Sequence, residues 1–515
     1  MFKNHPKGLL GAALSNMGER FGYYIMNAVL TLFLCSKFGL DATTGALIYS
    51  FFYAGIYFLS LVGGMIADRL QNYKGTIMAG LIVMACGYGL LSIPVMSTSH
   101  NFTLLLVFTC FALFLIAFGN GLFKGNLQAI VGQMYDIQEK SGGVKGLRDR
   151  GFQIFYVFIN VGGLIAPFVA PILRGWWLGK HHLLYNADLP ALCHTFLKSG
   201  TAMDVTQYNN LTILAQKVSV AGTAVEPAQM ADFCSNYLNI FNTGVHFSFI
   251  ASVLAMFISL VIFLYSKNML PSPAKREKKE TQNYSEAERS AMAKEIRQRI
   301  YALFAVLGVV VFFWFSFHQN GVSLSLFARD FVNTSVIPPE IWQSLNPLLV
   351  ICLTPFVIWF FSALAKRGKE PSTPMKIAIG MGIAGFGYLF LTIVSKIAGF
   401  PGYIEYQEMQ EAAQSALKIT PWTLVIMYFF LTVAELFISP LGLSFVSKVA
   451  PKHMQGLCQG FWLTATALGN MLLFIGAMMY TNWSLWLCWV VFAVVCAISM
   501  IVMLTMVRWI EKVAK

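Results

Sequence analysis

Twelve long apolar stretches determine what this chain of 515 residues can fold into. Each is long enough to cross a hydrocarbon core of about 30 Å, which takes roughly 20 helical residues. Inside a bilayer every backbone amide must find a hydrogen bond within its own segment, so these stretches predict α-helices. The predicted spans are 8–36, 42–67, 75–97, 102–135, 151–178, 243–266, 300–328, 341–365, 374–399, 420–447, 455–480 and 484–508.

The composition is also typical of a protein embedded in lipid. Hydrophobic residues make up 57% of the chain and charged residues only 11%, which is too little charge for a surface that faces water on all sides. We therefore expect the lipid bilayer as a partner and a multi-pass location in a cell membrane.

Basic residues between the spans predict the orientation, because short cytoplasmic loops retain Lys and Arg. With the N-terminus inside, 26 of the 36 Lys and Arg residues fall on the cytoplasmic side and 8 on the outer side. The remaining two of the 36, Arg20 and Lys124, lie within predicted spans. Both termini are therefore predicted to be cytoplasmic. The same asymmetry accounts for the net charge of +13, so no nucleic-acid partner is expected.

The spans fall into two groups of six. They predict an N-terminal bundle over 1–266, a cytoplasmic linker over 267–298 and a C-terminal bundle over 299–515. In the linker, Ser285 and Glu288 have the spacing of a capping box, which predicts a short polar helix. Two equal halves are typical of transporters that bind a substrate near the middle of the membrane.

The outer loop at about 179–242 is unusually long and contains Cys193 and Cys234. Cysteines outside the membrane meet an oxidising environment, which leads to the hypothesis of a disulfide between these two. The loop also contains histidines, but their spacing matches no metal signature, and no metal site is expected.

Four ionisable residues stand out near the centre of predicted spans, where each costs about 2.5–3.5 kcal/mol on insertion scales. Glu19, Arg20, Lys124 and Glu435 are 12 or 13 residues from a predicted cytoplasmic helix end, so they share one depth. Their charges sum to zero. Two interpretations follow: an ion-pair network that holds the halves together, or a polar cavity that recognises a zwitterion.

The first span carries a polar stripe. Asn16, Glu19, Arg20, Tyr23 and Asn27 recur at helical spacing and therefore share one face. A polar face of this kind in a spanning helix is expected to face a cavity and not lipid.

Seven segments of the spans and their ends form recognisable patterns: Glu19–Tyr24, Gly63–Arg69, Gly121–Asn126, Phe155–Gly162, Ser344–Pro347, Glu435–Pro440 and Gly456–Trp462. They resemble signatures of the proton-dependent oligopeptide transporter family of the major facilitator superfamily. The resemblance implies an all-α membrane protein with the major facilitator fold, in which 12 transmembrane helices form two six-helix bundles. It also implies a cell membrane of the bacterial inner-membrane type.

The resemblance implies a secondary active transporter of di- and tripeptides that works by alternating access. Arg20 and Lys124 would hold the peptide carboxylate, and Glu435 with Asn346 would hold its ammonium and backbone amide. No cofactor is expected apart from protons as a coupling ion, and the chain is expected to act as a monomer. The predicted substrate-binding residues are Arg20, Tyr23, Tyr24, Tyr57, Lys124, Tyr156, Trp314, Asn346, Glu435, Ser439 and Trp462.

The chain departs from the family pattern at its coupling site. The first Glu of the helix 1 signature is Asn16 here, and the Arg that follows the double tyrosine is Asn27. Where relatives often carry an acidic partner for that Arg, this chain has His318, and histidine is the side chain whose intrinsic pKa lies closest to neutrality. We predict that proton coupling involves His318 and Glu19. The alternatives are that His318 only bonds Asn27, or that transport needs no proton.

Three further functions stay open at this stage. They are a family member that carries another small anion or an amino acid, a membrane sensor that no longer transports, and a membrane-embedded enzyme. Glu435 favours a substrate with an amino group, since a carrier of simple anions has little use for a carboxylate at its site. No activated nucleophile, phosphate-binding loop or metal cluster is apparent, so the chain is predicted not to be an enzyme.

Overall fold

The computed structural model of the chain is almost entirely helical. It describes residues 4–40, 42–98, 100–141, 147–186, 188–219, 225–271, 286–333, 342, 344–409 and 411–514. The α-helices in this part of the chain are α1 (Gly8–Phe38), α2 (Ala42–Leu70), α3 (Tyr73–Leu91), α4 (Phe102–Lys140), α5 (Leu147–Lys180), α6 (Leu189–Ser199), α7 (Val205–Val218), α8 (Met230–Ser266), α9 (Glu286–Phe317), α10 (Ser323–Phe331), α11 (Leu345–Lys366), α12 (Thr373–Ile397), α13 (Tyr403–Glu408), α14 (Glu411–Ala416), α15 (Trp422–Val449), α16 (Gln455–Met471), α17 (Leu473–Asn482) and α18 (Leu485–Ala514).

Within the described ranges, twelve helical segments are long and apolar enough to cross a membrane, as the sequence predicts. The first five are α1 to α5, and the sixth is α8. In the second half they are α9 with α10, α11, α12, α15, α16 with α17, and α18. The third span ends at Leu91 and not at 97. Pro94 explains the early end, because the residue before a proline is disfavoured in helical conformation.

Two spans of the second half are interrupted. The seventh span changes from α-helix to a 3-10 turn at His318–Gly321 before α10 continues it, and the eleventh breaks at Leu472. The predicted short polar helix of the linker is wrong as a separate element. Helix α9 begins at Glu286 and runs without a break into the membrane span. The linker residues 272–285, including Ser285, lie outside the described part of the chain.

The predicted outer loop at 179–242 is not a loop. It contains the hairpin α6–α7, and α8 already begins at Met230. Asp204 caps α7, because its carboxylate accepts the backbone N–H groups of Thr206 and Gln207 at 3.0 and 3.2 Å. Helix α6 packs against α7 and α8.

An even number of spans places both termini at the same face of the molecule, which we call the terminal face. The opposite face carries α6 and α7, and we call it the hairpin face. At the terminal face, His5 lies 2.6 Å from the Tyr135 hydroxyl and ties the N-terminal segment to α4. Burial, followed by the charges of Arg150 and the N-terminus, lowers the pKa of His5 to about 4.

Glycines let the helices approach closely at two crossings. A Cβ on Gly63 of α2 would lie 2.1 Å from the Gly121 carbonyl oxygen of α4. A Cβ on Gly64 would lie 2.5 Å from the Gly456 carbonyl oxygen of α16, in the other half. Small residues at helix crossings are the usual means of close packing in membranes. Any larger side chain at Gly64 would separate the two halves.

Candidate functional site

A cavity of about 260 Å³ lies between the two halves, and its lining comes from the middle of the spanning helices. Ten of the predicted binding residues line this cavity, and His318 does so too. The ten are Arg20, Tyr24, Tyr57, Lys124, Tyr156, Trp314, Asn346, Glu435, Ser439 and Trp462. Helices of both halves therefore contribute to one chamber.

Tyr23 is the exception among the predicted binding residues. Its ring lies beneath the Arg20 guanidinium, with 4.6 Å between the guanidinium carbon and the ring centroid, and the residue is buried. The neighbouring Tyr24 lines the cavity instead. Tyr23 therefore supports Arg20 by a cation–π contact and is not placed to contact a bound molecule.

Arg20 and Glu19 form a bidentate pair. The Nε and one terminal nitrogen of Arg20 donate to the two Glu19 oxygens, each at 2.6 Å. Asn120 of α4 donates a third bond to Glu19 at 2.7 Å. Glu19 is fully buried and is not part of the cavity lining. The Glu19 carboxylate is thus bonded to Arg20 and Asn120.

Lys124 faces the cavity without a carboxylate partner among the described residues. Its ammonium lies 5.0 Å from the centroid of the Tyr57 ring, which is within cation–π distance. An aromatic face compensates a buried cation only in part, because it supplies no lone pair for the N–H groups. Lys124 is thus ready to bind an anionic group that enters the cavity.

Glu435 lines the cavity from the C-terminal half, on α15. One oxygen accepts the Tyr156 hydroxyl at 2.5 Å, and the other accepts the Asn346 side-chain amide at 2.7 Å. Asn346 is oriented by a second bond, which it donates to Thr432 at 3.1 Å. These partners fix the position of the carboxylate, and Tyr156 connects it to the other half. Each carboxylate oxygen can still accept a further hydrogen bond.

An aromatic wall borders the cavity beside these charges. The rings of Trp314 and His318 are stacked with 4.9 Å between their centroids and 17° between their planes. Trp462 of α16 also lines the cavity, and it lies against Gly442 of α15. The wall provides apolar surface next to polar groups, as small-molecule sites usually do.

Asn27 and His318, which stand where relatives have an Arg and its acidic partner, are not bonded to each other in the described structure. Asn27 accepts a hydrogen bond from the Tyr49 hydroxyl at 3.0 Å, and no bond to His318 is found in the described structure. The predicted alternative, in which His318 only bonds Asn27, is therefore wrong for this conformation. Asn16 is buried within α1 and lies away from the cavity lining.

Sequence reasoning missed several cavity residues that helical spacing would have found. Each follows or precedes a predicted residue by four positions and so lies on the same helix face. They are Tyr53 before Tyr57, Gln128 after Lys124, Asn160 after Tyr156 and Thr466 after Trp462. Asn320 had no such signal, because it lies in the 3-10 turn after α9.

The two halves are joined at the terminal face by a buried cluster around Asp149 of α5. Its carboxylate accepts bonds from Lys448 at 2.7 Å, from Lys376 at 3.2 Å and from Ser444 at 2.5 Å. Thr373 donates to the same carboxylate at 3.0 Å. One acid of the N-terminal half thus holds two helices of the C-terminal half, α12 and α15.

A second contact closes the same face beside α2. The Asp68 carboxylate accepts the backbone N–H groups of Gly456 and Leu457 at 3.0 and 2.8 Å, at the beginning of α16. A helix N-terminus attracts an anion because its first N–H groups lack partners within the helix. The cavity is therefore shut off at the terminal face by both contacts.

Comparison with known proteins identifies the family. The family model PTR2, described as the POT family, matches residues 74–286 and 272–486. The chain belongs to the POT family. Members of the family are membrane transporters that need no cofactor, and they are not enzymes. The predictions of a multi-pass cell-membrane protein and of a protein other than an enzyme are thus confirmed.

Two curated relatives resemble this POT-family chain over most of its length. The peptide transporter YePEPT of Yersinia enterocolitica is 28% identical over 496 residues, covering 91% of this chain and 87% of that protein. Dipeptide and tripeptide permease B of Salmonella typhimurium is 26% identical over 468 residues, covering 88% of this chain and 83% of the permease.

Solved structures of the POT family resemble the fold. A crystal structure of a peptide transporter POT in complex with sulfate is 22% identical in sequence, with a TM-score of 0.59, and the match covers 100% of this chain and 96% of that one. A POT family transporter in complex with a thioalcohol-conjugated peptide is 20% identical, with a TM-score of 0.60 over 99% of this chain and 98% of that one. These neighbours confirm the predicted major facilitator fold.

Proposed function

We propose that this POT-family chain carries di- and tripeptides across the membrane by alternating access and binds them in the cavity between its halves. The observation that carries the proposal is the charge distribution of the cavity. Arg20 and Lys124 line it from the N-terminal half, and Glu435 lines it from the C-terminal half. The relatives named as a peptide transporter and as a dipeptide and tripeptide permease support the same substrate class.

In this proposal the two ends of the peptide bind opposite charges. Lys124 and Arg20 hold the carboxylate by charge-assisted hydrogen bonds, and Glu435 holds the ammonium, with Asn346 bonding the backbone amide. Tyr24, Tyr57, Tyr156 and Ser439 supply neutral polar groups. An extended residue adds about 3.3–3.6 Å, so a longer peptide would not keep both ends on these charges. Trp314 and Trp462 border the peptide side chains.

We propose that the terminal face is cytoplasmic and that the structure represents the conformation closed to the cytoplasm. The halves 1–266 and 299–515 would then rock about the cavity, with 267–298 as the linker between them. Opening the terminal face requires Asp149 to leave Lys376 and Lys448. The cavity lies between the two halves of a single chain, so we propose a monomer as the working unit.

Replacing Asp149 by Asn should favour the conformation that is open at the terminal face. Hydrogen bonds to charged groups contribute about 1.5–3 kcal/mol each, so the loss of one shifts the equilibrium by at least roughly tenfold. Hydrogen–deuterium exchange should become faster in peptides that contain residues 444–449. Asp188→Asn, at an exposed acid of the hairpin face, is the control. Unchanged exchange in Asp149→Asn would contradict the role of this cluster.

We propose that proton coupling involves His318 and Glu19. His318 lines the cavity and is therefore accessible to water. Both oxygens of Glu19 are occupied by hydrogen bonds from Arg20 and Asn120. A peptide carboxylate that binds Arg20 competes with Glu19 for the guanidinium. Substrate binding would thereby release the Glu19 carboxylate for protonation, which links the two events.

The double variant Glu19→Gln, His318→Gln tests this route. Neither amide can carry a proton, so we expect uptake that no longer increases when an inward proton gradient is imposed. Counterflow of labelled against unlabelled dipeptide, which needs no gradient, should persist in the same vesicles. If the proton gradient still drives uptake by the double variant, proton coupling through Glu19 and His318 is refuted. The proposal of peptide transport would not be affected by that result.

Uptake of a labelled dipeptide into proteoliposomes, with and without an inward proton gradient, tests the proposed function as a whole. We expect the unmodified dipeptide to compete for uptake and the N-acetylated dipeptide to compete poorly, because it offers no ammonium to Glu435. Equal competition by both peptides would exclude Glu435 as the ammonium site. Absence of any dipeptide uptake would overturn the proposal.

A further inference from the structure

Two thiols meet between the hairpin and the sixth span. Cys193 lies on α6 and Cys234 lies in the first turns of α8, and each is 0% exposed. Helix α6 packs against α8, and the side chains of Cys193 and Cys234 interact across this contact. The two sulfurs are not bonded to one another in the structure. Two thiols that meet between helices distant in sequence are candidates for a disulfide.

Hydrogen bonds hold both partners of this contact in place. His194, next to Cys193, lies 2.7 Å from the Ser36 carbonyl oxygen at the end of α1. Tyr237, one turn after Cys234, donates to the Leu184 carbonyl oxygen at 3.3 Å and accepts the Asn186 backbone N–H at 3.2 Å. The segments that carry the two thiols are therefore held in place by the surrounding structure.

We propose that Cys193 and Cys234 form a disulfide in the mature protein and that it fastens the α6–α7 hairpin to α8. The hairpin face is then the side of the membrane that meets an oxidising environment, in agreement with the distribution of basic residues in the loops. The oxidant is a disulfide-containing compound or protein of that compartment. Disulfides form and persist in such compartments and are rare where thiols are kept reduced.

The reaction is a thiol–disulfide exchange in two steps. The thiolate of one cysteine attacks a sulfur of the oxidant, giving a mixed disulfide and releasing one thiolate of the oxidant. The second cysteine then attacks the protein sulfur of the mixed disulfide and releases the other oxidant thiolate. In total the two protein thiols lose two protons and two electrons, and the oxidant is reduced to two thiols.

The exchange precedes the final packing of the hairpin. In the folded protein both sulfurs are fully buried, so an oxidant cannot reach them. The contact with Cys234, followed by burial, raises the pKa of the Cys193 thiol and keeps it protonated. A protonated thiol is not the attacking species in exchange. Once reduced and refolded, the pair should therefore be slow to oxidise again.

Counting reactive cysteines in the full-length protein tests the proposal. Protein purified without reductant is denatured, alkylated and examined by mass spectrometry, and we expect two of the nine cysteines to stay unmodified. After reduction all nine should react. Cys193→Ser with Cys234→Ser should remove the difference, whereas the control Cys488→Ser with Cys496→Ser, at buried cysteines of α18, should retain it. Modification of all nine without reductant would overturn the proposal.

A topology control separates a wrong pairing from a wrong orientation. Lys198 is an exposed residue at the end of α6. In the background of Cys193→Ser and Cys234→Ser, Lys198→Cys should react with a membrane-impermeant maleimide in intact cells. Labelling of Lys198→Cys together with nine free cysteines in the wild type would refute the disulfide alone. Failure of Lys198→Cys to react in intact cells would refute the orientation on which the disulfide depends.

Discussion

Replacing Glu435 by Gln should lower the initial rate of dipeptide uptake by roughly 10- to 150-fold. Glutamine keeps the shape of the side chain and can still bond Tyr156 and Asn346, but it removes the negative charge that faces the cavity. A hydrogen bond to a charged group contributes about 1.5–3 kcal/mol, and each 1.4 kcal/mol is a factor of ten. Initial rates in proteoliposomes with matched protein content measure the effect.

The substrate itself provides the control for this variant. An N-acetylated dipeptide has no ammonium, so its low uptake should be the same in the wild type and in Glu435→Gln. If the effects of Glu435→Gln and of N-acetylation on the uptake rate are not additive, the two groups are in direct contact, as in a double-mutant cycle. Glu405→Gln, at an exposed acid of α13, should transport like the wild type. A loss in Glu435→Gln that is equally large for the acetylated peptide would refute an ammonium site.

Replacing Lys124 by Met should lower dipeptide uptake by a similar factor. The ammonium has no carboxylate partner among the described residues and faces the cavity, so its charge is available for the peptide carboxylate. Methionine keeps much of the length of the side chain and its contact with Tyr57 but cannot bind an anion. The loss of one charge-assisted bond gives roughly 10- to 150-fold.

A peptide amide is the matched substrate for Lys124→Met. Amidation of the C-terminus removes the carboxylate, so wild type and variant should take up the amide at equal, low rates. Lys396→Met, at an exposed lysine whose ammonium lies 4.7 Å from the centroid of a Trp486 ring, controls for a general effect of losing a cation. A variant that discriminates between acid and amide as the wild type does would refute the carboxylate site.

The spans of the fold could be predicted because the thickness of a bilayer determines how long a spanning helix must be. The hairpin α6–α7 could not be predicted in this way, since its helices lie outside the membrane and are short and partly polar. The start of α8 was missed for a related reason. Its first turns include Asp232, Ser235 and Asn236, which lower the hydropathy without ending the helix.

The cavity could be predicted in part from depth. Arg20, Lys124 and Glu435 lie at one level in the sequence pattern, and the structure brings all three to one chamber. Depth does not determine the rotation of a helix or the partner of a charge. Asn120 of α4 holds Glu19 on the side of Arg20, and this tertiary contact decides that Glu19 is not bonded to Lys124.

The cluster around Asp149 at the terminal face also could not be predicted from the sequence. Asp149, Lys376 and Lys448 are ordinary loop-side charges in the sequence, separated by more than 200 positions between the first and the second. Only the packing of α5 against α12 and α15 brings them together. Contacts that form across two bundles depend on the conformation of the transporter, and a single sequence does not specify which conformation is populated.

A structure of the protein with a bound dipeptide, determined by cryo-electron microscopy, tests the central claim most directly. The proposal predicts the peptide in the cavity between the halves, with its ammonium within about 3 Å of a Glu435 oxygen. Its carboxylate should lie equally close to Lys124 or Arg20. A peptide bound outside this cavity, or bound inside it with its carboxylate next to Glu435, would contradict the claim.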